Sequence, residues 1–176
     1  MSNTSSVLQL RLTTPADIDT LFQQQLDEAT NLMAGTKPRT REMFQSTWDG
    51  IFANLNDPAQ RNSPTIVVPR VMIVQGERGE EVVGTINRFH RDEKNFVGYF
   101  VARPYWGKGF ATLALKLMLQ ELDRLPNPRP LYANVIATNT ASIKVLTKNN
   151  FRYVNTTFEG ETERFLAGNV DHFILE

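Results

Sequence analysis

The stretch Arg103–Thr112, RPYWGKGFAT, sets Gly107 and Gly109 on either side of Lys108, just before residues that read as a helix. Glycine loses more conformational freedom on folding than any other residue, so its use at such a point signals a need for bare backbone or for positive φ. The first N–H groups of a helix have no partner inside it. With the positive end of the helix dipole they form an anion site, and phosphate is its usual occupant. Gly107 and Gly109 would let a phosphate approach the main chain with no Cβ in the way, and Lys108 adds a charge at the mouth. The same residues also suit an ordinary strand-to-helix turn, and this segment alone does not separate the two readings. The dinucleotide fingerprint is excluded because its third glycine is missing, and the Walker loop because the lysine lies between the glycines rather than after them.

A second polar segment, NTASIKVLTKNNF at 139–151, begins with Asn139 and puts Ser142 one helical turn further on. His90, Asp92 and Glu93 share a turn before a strand and are candidates to move a proton, directly or through water; a solvated charged turn with a structural or surface His90 is the competing reading. His172, Trp48 and Trp106 read as structural. There is no cysteine, which removes disulfides, thiol nucleophiles and thiolate metal sites and fits a reducing cytoplasmic setting; no metal site is expected. Lys+Arg and Asp+Glu number 19 each, so no broad electrostatic footprint for nucleic acid or an anionic membrane is present. The opening MSNTSSVLQL has neither a basic segment nor a long apolar run, so neither a signal peptide nor a membrane span is expected.

The elements that must position these residues follow from periodicity. The 176 residues suit one domain over 1–176 with a real core. Alternation at 7–12 predicts a strand. Thr14 and Pro15 then open a helix as N-cap and first residue. Met43, Phe44, Trp48, Ile51, Phe52 and Leu55 predict an amphipathic helix over 41–55. NDPAQRNSP at 56–64 is turn chemistry, expected to be a mobile loop. Strands are expected at 65–74, with Pro69 marking an irregularity or an edge, and at 82–89 after a hairpin turn in GERGEE. A further strand at 95–102 leads into the glycine turn. Beyond it come a helix over 108–124, a strand at 131–137, a helix over 139–150 and strands at 151–160 and 164–176. The expected order is strand, two helices, three strands, helix, strand, helix, two strands, a mixed sheet with helices packed on its faces.

Taken together, RPYWGKGFAT and NTASIKVLTKNNF resemble the two signature stretches of the GNAT N-acetyltransferase superfamily. The branch most similar is that of the ribosomal-protein N-terminal acetyltransferases. The likeness includes Asn139, Ser142, Lys148 and Phe151, the closing AGNVDHFIL at 167–175, and EATNLMAG at 28–35, so it runs over most of the chain. It implies an α/β (α+β) domain with a mostly antiparallel mixed sheet, splayed at its centre and flanked by helices on both faces. Acetyl-CoA is the implied co-substrate. Its pyrophosphate would rest on the N–H groups of Gly107, Lys108, Gly109, Phe110, Ala111 and Thr112. The main chain of Tyr99, Phe100 and Val101 would orient the thioester, Asn139 would bind the pantetheine arm, and Ser142 would stabilise the leaving thiolate. Asn139 as a plain helix cap and Ser142 as a small packing residue are the competing readings. Four positions depart from the family pattern: Trp106 for a Gln or Arg, Asn150 for a glycine, Leu146 for a catalytic tyrosine and Phe96 for an acidic residue. The acid and base of the reaction are therefore not assigned by resemblance.

An amine must lose its proton before it attacks the thioester. For a lysine near pKa 10.4 this costs about 4–5 kcal/mol at pH 7, whereas about a tenth of an α-amine near 8 is already neutral. The expected acceptor is a peptide or small-molecule amine, the former through its α-amine. The expected assembly is a monomer or homodimer. The alternative is a non-catalytic acyl-CoA-binding module that keeps the groove and has lost the acid and base.

Overall fold

A computed structural model describes residues 7–60, 63, 65–77, 79–126 and 128–176. The helical signal after Thr14 resolves into more than one piece. Thr14 and Asp17 form a capping box around a 3-10 turn at Pro15–Asp17, which runs into α1 (Ile18–Gln25). A separate α2 (Glu28–Ala34) follows, because Asp27 takes extended backbone and caps it, accepting from the Thr30 N–H at 2.9 Å. The single helix expected there is thus two. α3 (Arg41–Asn56) is capped by Thr40 and buries Phe44 and Trp48, as its periodicity predicts.

Seven strands form one sheet: β1 (Gln9–Leu12), β2 (Val68–Gly76), β3 (Gly79–Arg91), β4 (Lys94–Val101), β5 (Leu131–Ile136), β6 (Arg152–Glu159) and β7 (Gly168–Leu175). Their order is β1-β2-β3-β4-β5-β7-β6, antiparallel throughout except where β4 meets β5. α4 (Phe110–Leu122) makes the crossover between those two strands, and α5 (Thr140–Lys148) joins β5 to β6. Pro69 lies within β2 opposite Asn87. Its carbonyl accepts from the Thr13 N–H, so its missing N–H faces the side where β1 has just ended, a local edge. The irregularity in this pair is elsewhere: the register shifts between Met72 and Ile73, leaving Val83 unpaired. β2 and β3 meet where Gly76 pairs with Gly79, and the hairpin turn expected in GERGEE and the loop at 56–64 are only partly covered, since 61, 62, 64 and 78 lie outside the described residues.

Two apolar clusters sandwich the sheet. Leu115, Met118, Leu122 and Leu146 from α4 and α5 bury one face with Met72, Ile86, Leu131 and Phe173. Ile18, Leu21, Phe44 and Trp48 from α1 and α3 bury the other against Val71 and Ile73. Among the described residues no helix is long and apolar enough to cross a membrane.

Candidate functional site

β4 and β5 pair at only two positions, Asn95 with Leu131 and Phe96 with Tyr132. Beyond Phe96 the strands part, and the right-handed crossover through α4 starts at the open end. The Ala102 N–H bonds to Val83 on β3 at 2.9 Å, so by strand alternation the polar main-chain groups of Tyr99 and Val101 point the opposite way, into the gap. Phe100, expected to share this role, faces β3 instead. The Val101 carbonyl accepts from the Trp106 indole N–H at 2.7 Å, which leaves the Tyr99 amide and carbonyl and the Val101 amide without a strand partner. Main-chain groups this close to a core are normally paired. The gap exposes a row of main-chain hydrogen-bonding groups.

At the mouth of the gap stands the glycine turn. Gly107 and Gly109 take φ +74° and +77°, the left-handed region that penalises a side chain, and Gly109 caps α4. No main-chain N–H of residues 107–112 donates to another main-chain group; the first to do so is Leu113, to the Gly109 carbonyl at 3.1 Å. A Cβ on either glycine would meet nothing within 4 Å, so no neighbouring protein atom demands their bareness. Phe110, Ala111 and Thr112 form the first turn of α4 there, and the Lys108 ammonium lies 5.3 Å from the Tyr105 ring centre.

α5 closes the other side of the gap. Asn139 is buried and caps α5, its Oδ1 accepting from the Ser142 N–H at 3.0 Å. The capping reading is therefore realised, and the Asn139 amide nitrogen still makes no hydrogen bond to a described residue. The Ser142 hydroxyl likewise has no partner among the described residues, while its carbonyl accepts from the Tyr99 phenol at 3.2 Å. That bond spans from β4 to α5 and is the feature the sequence reading missed, having considered only the Tyr99 main chain. Burial pushes the Tyr99 hydroxyl up to about 12, with the Ser142 bond pulling the other way, so it is a proton donor near neutral pH and not a base. Asn149 ties the two helices, donating to the Thr112 carbonyl at 3.2 Å. Asn150 holds φ +64° at the end of α5, doing the work of the family's glycine.

The structure brings together Tyr99, Val101, Gly107–Thr112, Asn139 and Ser142. It does not bring His90 to them. His90 sits opposite Asn95, its Nδ1 3.1 Å from the Asn95 Oδ1, at the closed end of the β4–β5 pairing. The departures Leu146 and Phe96 are packing residues: Leu146, on the core side of α5, is fully buried, and Phe96 stacks on Phe89 at 5.5 Å and packs beside Tyr132. Neither position supplies an acid or a base.

With this geometry in view, comparison with known proteins is direct. The family model described as Acetyltransferase (GNAT) domain matches residues 8–152. A curated relative, the uncharacterized N-acetyltransferase p20 of Bacillus licheniformis, is 29% identical over 153 residues, covering 82% of this chain and 79% of its own. Among solved structures, the ribosomal alpha-N-protein acetyltransferase RimL in complex with coenzyme A superposes with a TM-score of 0.76 at 16% identity, covering 96% of this chain and 93% of that one. RimJ of Mycobacterium smegmatis in complex with CoA-disulfide gives 0.72 at 22% identity, covering 97% and 82%. The two structural likenesses show a shared fold.

Proposed function

Because the chain belongs to the GNAT acetyltransferase domain family, and is thus an acyltransferase, we propose that it moves an acetyl group from acetyl-CoA to the α-amine of a peptide by direct transfer in a ternary complex. The observation that carries this reading is the gap itself: main-chain groups on Tyr99 and Val101 without a strand partner, ending at a turn whose N–H groups have no main-chain partner among the described residues. The pyrophosphate rests on the N–H groups of residues 107–112 and the pantetheine arm runs between β4 and β5. There it meets the Tyr99 and Val101 main chain and the spare amide nitrogen of Asn139. The neutral amine attacks the thioester carbonyl, the nitrogen gives up its extra proton to water, the carbonyl reforms with expulsion of the CoA thiolate, and the Ser142 hydroxyl donates a hydrogen bond to that sulfur. Tyr99 holds Ser142 in place through its carbonyl.

No carboxylate occupies the two positions where relatives keep acid or base, so the acceptor must arrive largely able to lose its own proton. An α-amine near pKa 8 meets that need and a lysine side chain does not. Ribosomal protein L7/L12, named in the description of the similar RimL structure, supports the peptide class. A thermal-shift titration tests the cofactor. Acetyl-CoA at about 100 times its dissociation constant adds roughly 2.7 kcal/mol of apparent stability, whereas NAD and ATP leave the melting temperature unmoved. Equal responses to all three ligands would remove the proposal.

A further inference from the structure

Three arginines that acetyl transfer does not use converge on the sheet face opposite α4 and α5. Arg39, from the α2–α3 connector, lies 5.0 Å over the Phe44 ring. Arg91, from the β3–β4 hairpin, lies 4.8 Å over Phe96, the residue at which the gap opens. Arg164, from the β6–β7 connector, lies 5.3 Å over Phe165. Main-chain bonds build this meeting: the Lys37 N–H donates to the Arg164 carbonyl at 2.8 Å, the Leu166 N–H donates to Gly35 at 2.9 Å, and Thr36 bridges to Phe165. Lys94, over the Tyr132 ring at 5.1 Å, adds a fourth positive charge to the same face.

Three nearby carboxylates are committed to other cations, while Glu163 and Glu93, close to Arg164 and Arg91 in the chain, form no ion pair among the described residues. Glu161 pairs with Lys37, Asp19 with Arg41 and Asp27 with Arg103. Arg91 has only a 3.6 Å contact with the exposed Asp92 beside it. Among the described residues Arg39 and Arg164 form no ion pair, and the Arg39 guanidinium has one long bond, 3.4 Å to the Thr47 hydroxyl. Burial, and then the charge of Arg164, lowers Arg39 to about 10; burial and then Arg91 lower Arg164, although that residue as a whole is exposed. Like charges gathered without a counter-ion in a chain of zero net charge are unfavourable unless something negative visits. Stacked guanidinium forks are suited to a carboxylate or phosphate. α4 and α5 cover one face of the gap, so an acceptor must come from the arginine side.

We propose that the acceptor carries an anionic group, a carboxylate or a phosphate, beside its amine, and that Arg39, Arg91 and Arg164 receive this group as the amine enters the gap. The inference rests on the acetyl-transfer reading above and names the substrate class of the same site.

The test is calorimetric titration of three serine-initiated peptides into the CoA-loaded protein. One has aspartate at its second and third positions, one asparagine there, and one phosphoserine. Both anionic peptides should bind about tenfold tighter than the asparagine peptide, and the tighter of the two identifies the anion. Arg39→Gln should weaken only the anionic pair, and Arg164→Glu should turn the preference toward a lysine-bearing peptide. Acetyl-CoA affinity of each variant serves as the folding control. Equal binding of the aspartate and asparagine peptides, or a preference that survives both substitutions, overturns the inference. Preferential binding of the anionic peptides, with no free CoA thiol formed when the same peptides are mixed with the protein and acetyl-CoA, leaves the inference standing and removes acetyl transfer instead.

Discussion

At Gly109 the backbone holds φ +77° and the space where a Cβ would project is open. The Cβ of a valine there meets no protein atom within 4 Å. The valine pays about 1–2 kcal/mol for left-handed backbone and occupies the volume through which a pyrophosphate would reach the N–H groups. Gly109→Val should therefore lose acetyl-CoA binding altogether in calorimetry while its melting temperature falls only modestly; a variant that binds as the parent does would make the turn purely structural. Ser142 is the complementary case. Its hydroxyl makes no hydrogen bond to a described residue, so its removal costs the fold little, and a bond to a departing thiolate acts mainly in the transition state. Ser142→Ala should lower kcat by about 10²-fold, the low end for such donors because a thiolate leaves readily. Acetyl-CoA affinity should stay the same, and an unchanged kcat with chemistry rate-limiting would return Ser142 to packing.

The elements that hold these residues were readable wherever one local signal ruled. Strand alternation, the Thr14–Pro15 start, the stripe from Met43 to Leu55 and the Asn139 cap each matched what forms. The split between α1 and α2 was hidden because the apolar spacing runs through it and only the Asp27 side chain, bonded to Thr30, decides it. The Tyr99 phenol and the three arginines were hidden for another reason: their partners lie far along the chain, and no spacing encodes a meeting made by sheet order. One such long-range meeting also sets acid stability. Asp17 is buried at the start of α1, which by itself would raise its pKa. The Arg11 fork from β1, at 2.8 Å to both carboxylate oxygens, and the Thr14 bonds outweigh that and hold it below the usual carboxylate value. A depressed folded-state pKa contributes stability that is full above the unfolded value near 4 and drains as pH falls through the folded value. Asp17→Asn should cost about 2 kcal/mol near neutrality, less than a fully buried pair because Arg11 is partly exposed. Denaturant titrations should find that gap narrowing toward acid, and a pH-independent difference would deny the Arg11 pair its part.

On the scale of the whole molecule, the sheet is a continuous ladder broken at one place. Antiparallel strands on both sides, clamped by two apolar clusters, hold the break between β4 and β5, and the crossover through α4 sets a phosphate-ready turn at its mouth. The arginine face then decides from which side, and with what charge, an acceptor arrives. The account's central claim is that this break is where acetyl-CoA gives its acetyl group to an α-amine. The chain has no cysteine, so any thiol that appears with the purified protein belongs to CoA. The direct measurement is thiol release on mixing the protein, acetyl-CoA and a serine-initiated acidic peptide, with the peptide mass read in parallel. The account predicts one thiol per acetylated N-terminus, a rate that rises with pH as the peptide amine deprotonates, and no turnover for the same peptide with a blocked amine. Tight acetyl-CoA binding with no thiol released to any free α-amine would contradict it.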